Sequence, residues 1–331
     1  MNEVGVMEDG ADELLFAYVL DGHGGGRQLT WDGVRQWRPA EGTLWLHLDR
    51  SEPRSKDWLS DESALGEVAS GALLAEETRP RCVVLPDGLL IILRGVNLNP
   101  GADPEDMVSL RIWLEPARVI TLRRRPLVAV RHVQASLDAG AGPTSSGALV
   151  ATLAEELIDH MGPVMQQLDD QLDAIEIEAL DDASESLRPR LADLRRQAIA
   201  LRRHIAPQRD ALGGLSMTPT AMLTDADRLK LREIGDRVTR YVEDLDALRE
   251  RAAVTHDELS TRMAETMNRR MYVLSLVAGV FLPLGLITGL LGVNVGGIPG
   301  TNYEWGFAIL TAALLAIGGG AAWLLRARHL L

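Results

Sequence analysis

The sequence predicts an α+β cytosolic domain followed by long helices and a two-helix transmembrane hairpin. Three observations carry that prediction. Short apolar runs bounded by turn residues fill the first part of the chain, and a long stretch of helical periodicity follows. Charge then disappears near the C-terminus: of 34 basic and 47 acidic residues, only Glu304, Arg326 and Arg328 lie beyond Arg270. A mean hydropathy of 0.00 therefore averages two unlike regions.

The runs Leu14–Leu20, Leu44–Leu48, Cys82–Leu85, Leu89–Leu93, Val108–Leu114 and Val119–Leu122 read as strands. Pro86-Asp87-Gly88 reads as the turn that joins two of them in a hairpin. Ser60–Leu74 and Pro126–Leu137 read as helices, and GAGPTSSG (140–147) as a linker at a domain boundary. Beyond it, Ala148–Leu180 reads as one long amphipathic helix. From Glu155 to Glu185 the chain carries eleven acidic residues and no Lys or Arg. The next segment, Leu187–Leu212, reverses the sign, with seven arginines against Asp193 and Asp210. Opposite charge on consecutive helices predicts an antiparallel hairpin with facing ion pairs. Each exposed pair is worth about 0–1 kcal/mol, so they align the helices more than they stabilise them.

A third helix is predicted to start at Thr224 as N-cap and to meet no proline before Pro283. Its apolar seam runs through Leu231, Ile234, Val238, Tyr241, Leu245, Leu248, Ala252 and Leu259, then shifts to Met263, Met267 and Met271. No stop signal precedes the uncharged stretch Met271–Leu291, so one helix from about Asp225 to Leu291 is expected, on the order of 100 Å long. A seam of this spacing calls for partner helices.

Met271–Leu291 and Gly306–Leu325 are each long enough to cross a bilayer, which takes about 20 apolar residues. Arg269 and Arg270 precede the first span, Arg326 and Arg328 follow the second, and the connection between them has no Lys or Arg. The positive-inside rule then places both chain ends in the cytoplasm. Tyr272 and Trp323 fall at the inner interface, Tyr303 and Trp305 at the outer one. The opening MNEVGVMEDGADE is acidic and polar, unlike a signal peptide. The expected divisions are an α/β domain (1–146), a helical hairpin (147–223), a stalk (224–270), the first span (271–291), an outer loop (292–305), the second span (306–325) and a tail (326–331).

Several classes are excluded. A net charge of −13 argues against nucleic-acid binding, which runs on basic surface. The single cysteine, Cys82, cannot form an intrachain disulfide. No Walker loop, Gly-x-Ser-x-Gly, HExxH or Rossmann fingerprint is present, so the chain reads as no enzyme and needs no prosthetic group. Asp21-Gly22-His23-Gly24-Gly25-Gly26 follows a strand without opening a helix that could hold phosphate. Glu156 with His160 has i, i+4 ligand spacing, and Asp169, Asp170 and Asp173 cluster; pairing with the Arg-rich neighbour helix is the expected role of all five. His132 has no companion at ligand spacing in the sequence.

Two spans cannot enclose a pore within one chain, so a channel would need several subunits. The first span presents Asn268, Met271, Leu274, Ala278, Leu282, Gly285 and Gly289 at three-four spacing, a face of small or flexible side chains suited to lining one. The second span is rich in small residues, among them Ala312, Ala316, Gly318 and Gly320, which allow close helix packing.

The end of the first span carries Gly292-Val293-Asn294, preceded by Phe281-Leu282-Pro283-Leu284 and Ile287-Thr288-Gly289 and followed by Trp305-Gly306 at the second span. This arrangement resembles the CorA divalent-cation transporter superfamily. Valine at position 293, where that superfamily carries methionine, is similar to its zinc-transporting ZntB branch. The resemblance implies a funnel-shaped homopentamer in a bacterial inner membrane, in contact with lipid. A ring of Gly292, Val293 and Asn294 would engage a hydrated cation through the Asn294 amide. It implies Zn²⁺ as transported substrate, with proton-coupled uptake favoured; the alternatives are a CorA-type Mg²⁺, Co²⁺ or Ni²⁺ channel and a membrane-anchored oligomeric scaffold. Glu304 would concentrate cations outside or stand as a solvated interfacial residue. Asp257 matches an acidic pore position of the superfamily, with an exposed ion pair as its other reading.

Overall fold

The computed structural model describes residues 14–181, 186–292 and 303–327. The chain divides into two compact units, split between His256 and Asp257. The acidic opening, the outer loop from Val293 to Asn302 and the chain end beyond Ala327 lie outside the described residues.

The first unit is built on a seven-stranded mixed sheet in the order β2-β1-β3-β7-β6-β5-β4. The strands are β1 (Leu14–Leu20), β2 (Gly26–Leu29), β3 (Thr43–Asp49), β4 (Arg81–Leu85), β5 (Gly88–Gly95), β6 (Val108–Leu114) and β7 (Arg118–Arg123). All neighbours are antiparallel except β3 and β7. The six expected strands are present, and Leu85 pairs with Gly88 across the expected Pro86-Asp87 turn. β2 is an addition. The glycine run before it is a hairpin turn: Asp21 Oδ1 accepts from the His23 and Gly25 backbone N–H groups, and Gly22 and Gly24 take positive φ. The polar GRQL strand has no apolar alternation to announce it.

Register places one row of side chains across the sheet: Leu29, Ala17, Leu46, Ile120, Trp113 and Leu90. This face packs on α1 (Trp31–Gln36), the Trp58–Glu62 turn and α3 (Glu67–Leu74), through Trp31, Val34, Trp58, Leu59, Ala69 and Leu73. The next residues along each strand point the other way, toward α4 (Val128–Asp138) and α5 (Ser146–Asp159). There Tyr18 Oη donates to Asp138, and a Cβ on Gly95 would stand 2.7 Å from Leu157.

Two expected helices are broken. Ser60–Leu74 splits at Ser63, whose hydroxyl donates to the Leu59 carbonyl and whose own carbonyl accepts from Arg118; Ala64 then takes φ +57°. Ala148–Leu180 splits at His160 into α5 and α6 (Met161–Asp181). The cause is Pro163, which has no N–H for the Asp159 carbonyl and whose ring would clash with it. Proline is tolerated in the first turn of α6, so the chain breaks just before.

α7 (Leu187–Met217) packs against β4 and β5, and one of its buried side chains completes the sheet there. β4 begins opposite Ile92, which leaves the backbone of Arg94 unpaired on that side. The buried Gln208 amide fills the gap: its Oε1 accepts from Arg94 N–H at 2.6 Å and its Nε2 donates to the Arg94 carbonyl at 3.1 Å. Leaving such a pair unmet costs about 1–3 kcal/mol per group.

His47 lies on the α4–α5 face, buried beside Phe16 and Trp45. Arg123 Nε donates to its Nε2 at 3.2 Å, so the proton sits on Nδ1, which donates to Thr121 Oγ1 at 2.7 Å. That hydroxyl passes its own hydrogen to the Leu46 carbonyl. Burial, with the Arg123 charge adding to it, lowers the His47 pKa to about 3. In the unfolded chain the imidazole protonates near pH 6.5. Between those values only the unfolded state binds the proton, so His47 contributes stability that is present above pH 6.5 and lost as pH falls toward 3. Denaturant unfolding of the full chain in detergent should therefore show stability falling below pH 6, with a slope from this group approaching about 1.4 kcal/mol per pH unit. His47→Gln should be weaker at pH 7 and flatter in acid. Parallel acid limbs for the two proteins would remove His47 as the titrating group.

Candidate functional site

α8 (Asp225–Leu291) is a single helix, as the seam predicts. Its start is a reciprocal cap: Asp227 N–H donates to Thr224 Oγ1 at 3.1 Å, and Thr224 N–H donates to Asp227 Oδ2 at 2.9 Å. Within the first unit Leu231, Ile234, Val238, Leu245, Leu248 and Ala252 are buried; Val242 takes the place expected for Tyr241, which is half-buried.

Charge alignment differs from expectation. Asp169 and Asp173 do not pair with the Arg-rich α7. Together with Glu176 they surround Arg251 of α8, at 2.8, 2.5 and 2.6 Å. Glu155 meets Lys230 and Asp159 meets Arg237, both on α8. Glu178 with Arg190 joins α6 to α7. Asp170 accepts from Gln166 of its own helix, and Glu156 faces His132 of α4. Leu168, Tyr241, Leu245 and Leu248 line a cavity between α6 and α8, and Arg251 stands at its edge within reach of the acidic face.

In the second unit, Leu259 is the last buried residue of α8. Asn268, Met271, Leu274, Ala278, Leu282, Gly285 and Gly289 fall in one sector about 120° wide at 100° per residue. All are exposed except the half-buried Ala278. Pro283 supplies no N–H to the Gly279 carbonyl one turn earlier, which frees an acceptor on the helix. Gly292 closes the helix, its N–H donating to the Thr288 carbonyl; Val293 and Asn294 lie outside the described residues. Asp257 is exposed at the stalk. Glu304 is exposed in the turn before α9 (Gly306–Ala327). A Cβ on Gly318 of α9 would sit 3.9 Å from Leu284, so Gly318 faces α8 at ordinary contact distance.

By length and composition, α8 is long and apolar enough to cross a membrane: its most apolar window has a mean hydropathy of 2.2, with none of it buried. Gly306–Ala321 is a second, shorter apolar helix.

The described residues thus comprise an α+β unit, a helix long and apolar enough to cross a membrane, and a second apolar helix. The family model described as CorA-like Mg2+ transporter protein matches residues 40–327, and the chain belongs to that family. It is 45% identical over 314 residues to the divalent cation transporter CmaX of Pseudomonas aeruginosa, covering 93% of each chain. It is 38% identical over 314 residues to the zinc transport protein ZntB of Yersinia enterocolitica, covering 95% of each. The solved structure of full-length CmaX superposes with a TM-score of 0.83 at 40% identity, over 96% of this chain and 99% of that one. The resemblance to the CorA superfamily and its ZntB branch is thereby borne out.

Sequence reasoning missed His132 as a partner of Glu156, because the two stand on different helices and share no spacing. It also missed Arg251 as the centre of the acidic cluster. That position reads as one charge among many on the stalk.

Arg251→Met should lower the stability of the full chain by about 1–2 kcal/mol, since each exposed pair contributes up to about 1 kcal/mol and three carboxylates would be left together. The Debye length is about 10 Å at 0.1 M salt, so the difference from wild type should shrink as salt is raised in urea melts. A difference that ignores salt would assign the loss to packing of the arginine stem instead.

Proposed function

We propose that this chain transports divalent cations across a bacterial inner membrane, zinc foremost, as a homopentamer with the first span innermost and both chain ends cytoplasmic. The observation that carries the proposal is the bare second half of α8. A helix with none of its apolar span buried needs lipid on one face and copies of itself on another. Similarity to zinc transport proteins supports zinc. The higher identity to a relative named only a divalent cation transporter favours, as second reading, a less selective route open to Mg²⁺, Co²⁺ or Ni²⁺.

In this reading the face from Asn268 to Gly289 lines the pore and five copies of Gly292, Val293 and Asn294 ring its mouth. Neutral amide oxygens accept hydrogen bonds from the first water shell without stripping it, and small side chains below leave room for that shell. Asp257 places a carboxylate toward the inner end and Glu304 one near the outer mouth, where five copies would raise local cation concentration. No ATP-hydrolysing motif is present, so the membrane potential or an ion gradient drives flux. A potential of 100 mV, negative inside, favours divalent entry by about 4.6 kcal/mol.

The deciding experiment is flux into proteoliposomes holding this protein alone, comparing Zn²⁺, Mg²⁺, Co²⁺ and Ni²⁺ with and without a pH gradient. Zinc uptake enhanced by an inward proton gradient is expected; no flux of any of the four would end the transport reading. Mass measurement in mild detergent should give about five chains, and Asn294→Ala should cut flux at least tenfold without changing that number. A monomer or dimer, or undiminished zinc flux in the variant, would remove the ring. Glu304→Gln should raise the half-saturating zinc concentration more than it lowers the maximal rate, and should make uptake less sensitive to salt. Equal salt sensitivity would leave Glu304 a solvated interfacial residue.

A further inference from the structure

His132, Glu156 and His160 take no part in the transport reading, yet the fold brings them together from three places. His132 stands on α4, Glu156 in the last turn of α5, and His160 in the break that Pro163 forces between α5 and α6. One ligand atom from each lies within 4.8 Å of the other two. This is the one such group of three His, Cys or acidic residues among the described residues.

The protonation pattern suits a metal. His160 Nδ1 lies 2.6 Å from the Glu156 backbone carbonyl, which can only accept, so Nδ1 carries the hydrogen and Nε2 keeps its lone pair. An imidazole whose second nitrogen donates to a backbone carbonyl is oriented in the way metal-binding histidines usually are. His132 Nδ1 stands 3.1 Å from Glu156 Oε2, and the two rings are 4.9 Å apart, tilted by 49° rather than stacked. Neighbouring carboxylates are already engaged: Glu155 by Lys230 and Asp159 by Arg237. Glu156 is therefore the anion available to a cation here.

We propose that His132, Glu156 and His160 form a zinc-class cation site that clips α4 to the α5–α6 junction. Two imidazoles and one carboxylate make a ligand set for Zn²⁺. Mg²⁺ selects oxygen ligands and near-octahedral geometry, and is excluded by the same set. Zn–N bonds of about 2.0–2.1 Å put tetrahedral ligand atoms roughly 3.3 Å apart. The side chains must draw together by about 1.5 Å, which the exposed His132 and half-exposed Glu156 allow by rotation. Water takes the fourth position on the open side. The site lies wholly within the first unit and stands whether or not the chain transports zinc.

Co²⁺ is the probe, added to metal-stripped full chain in detergent. A tetrahedral nitrogen-oxygen site gives strong visible bands, whereas a hydrated ion held through Asn294 would stay octahedral and pale. One such site per chain is expected, displaced by one equivalent of Zn²⁺ and untouched by Mg²⁺ in excess. His132→Gln, at an exposed position that tolerates the change, should weaken zinc binding there about 100-fold, the upper end of what losing even an outer partner of a metal costs. Zinc should also slow hydrogen exchange over 128–138 and 156–161 in the wild type and leave His132→Gln unaffected. Absent tetrahedral bands, bands that persist in His132→Gln, or displacement by Mg²⁺ would each overturn the site and leave His132 and Glu156 as a simple hydrogen-bonded pair.

Discussion

The molecule depends on one constraint: a single helix must satisfy two different surroundings. From Leu231 to Ala252 the apolar seam of α8 is buried within the first unit. Beyond Leu259, no described residue of the same helix is buried, although Met271–Leu291 is uncharged and mostly apolar. Each large apolar side chain left in water forgoes about 1.5–3 kcal/mol. Summed over the span, that exceeds the stability of a typical domain several-fold. Cover for such a helix must come from surroundings other than water, as a bilayer supplies.

The first unit is organised to hold the start of that helix. A reciprocal Thr224–Asp227 cap sets its first turn, and its cations receive the acidic faces of α5 and α6. None of these exposed pairs is strong alone. Their value is register: Asp169, Asp173 and Glu176 recur on one face of α6, so one guanidinium reaches all three only at one axial setting of α8. The sheet contributes through Gln208, which completes the Arg94 backbone that β4 is too short to reach and thereby seats α7.

One proline shapes more than its own turn. Pro163 ends α5 early, and the freed His160 turns its ring back to the Glu156 carbonyl. The acidic segment becomes two helices, and an imidazole is left beside a carboxylate and a second imidazole that arrives from α4. Broken helices expose side chains at their ends that a continuous helix would hold apart.

The sequence by itself determined six of the seven strands, the long helix, its cap and the uncharged pair of apolar segments. Each of these is set by local pattern: alternation, three-four spacing, a Thr with an Asp three residues on, or an unbroken apolar run. The family was legible for the same reason, because Gly292, the stretch before it and Trp305-Gly306 are contiguous residues. What only the tertiary structure decided is who meets whom. GRQL became a strand because β1 offered it an open edge, not because of its own pattern. Glu155, Asp159, Asp169, Asp173 and Glu176 meet cations of α8 rather than the arginines next in sequence, a pairing between helices that no local pattern announces. His132 joined Glu156 and His160 because α4 and α5 pack on the same side of the sheet, across 24 residues that no spacing rule connects.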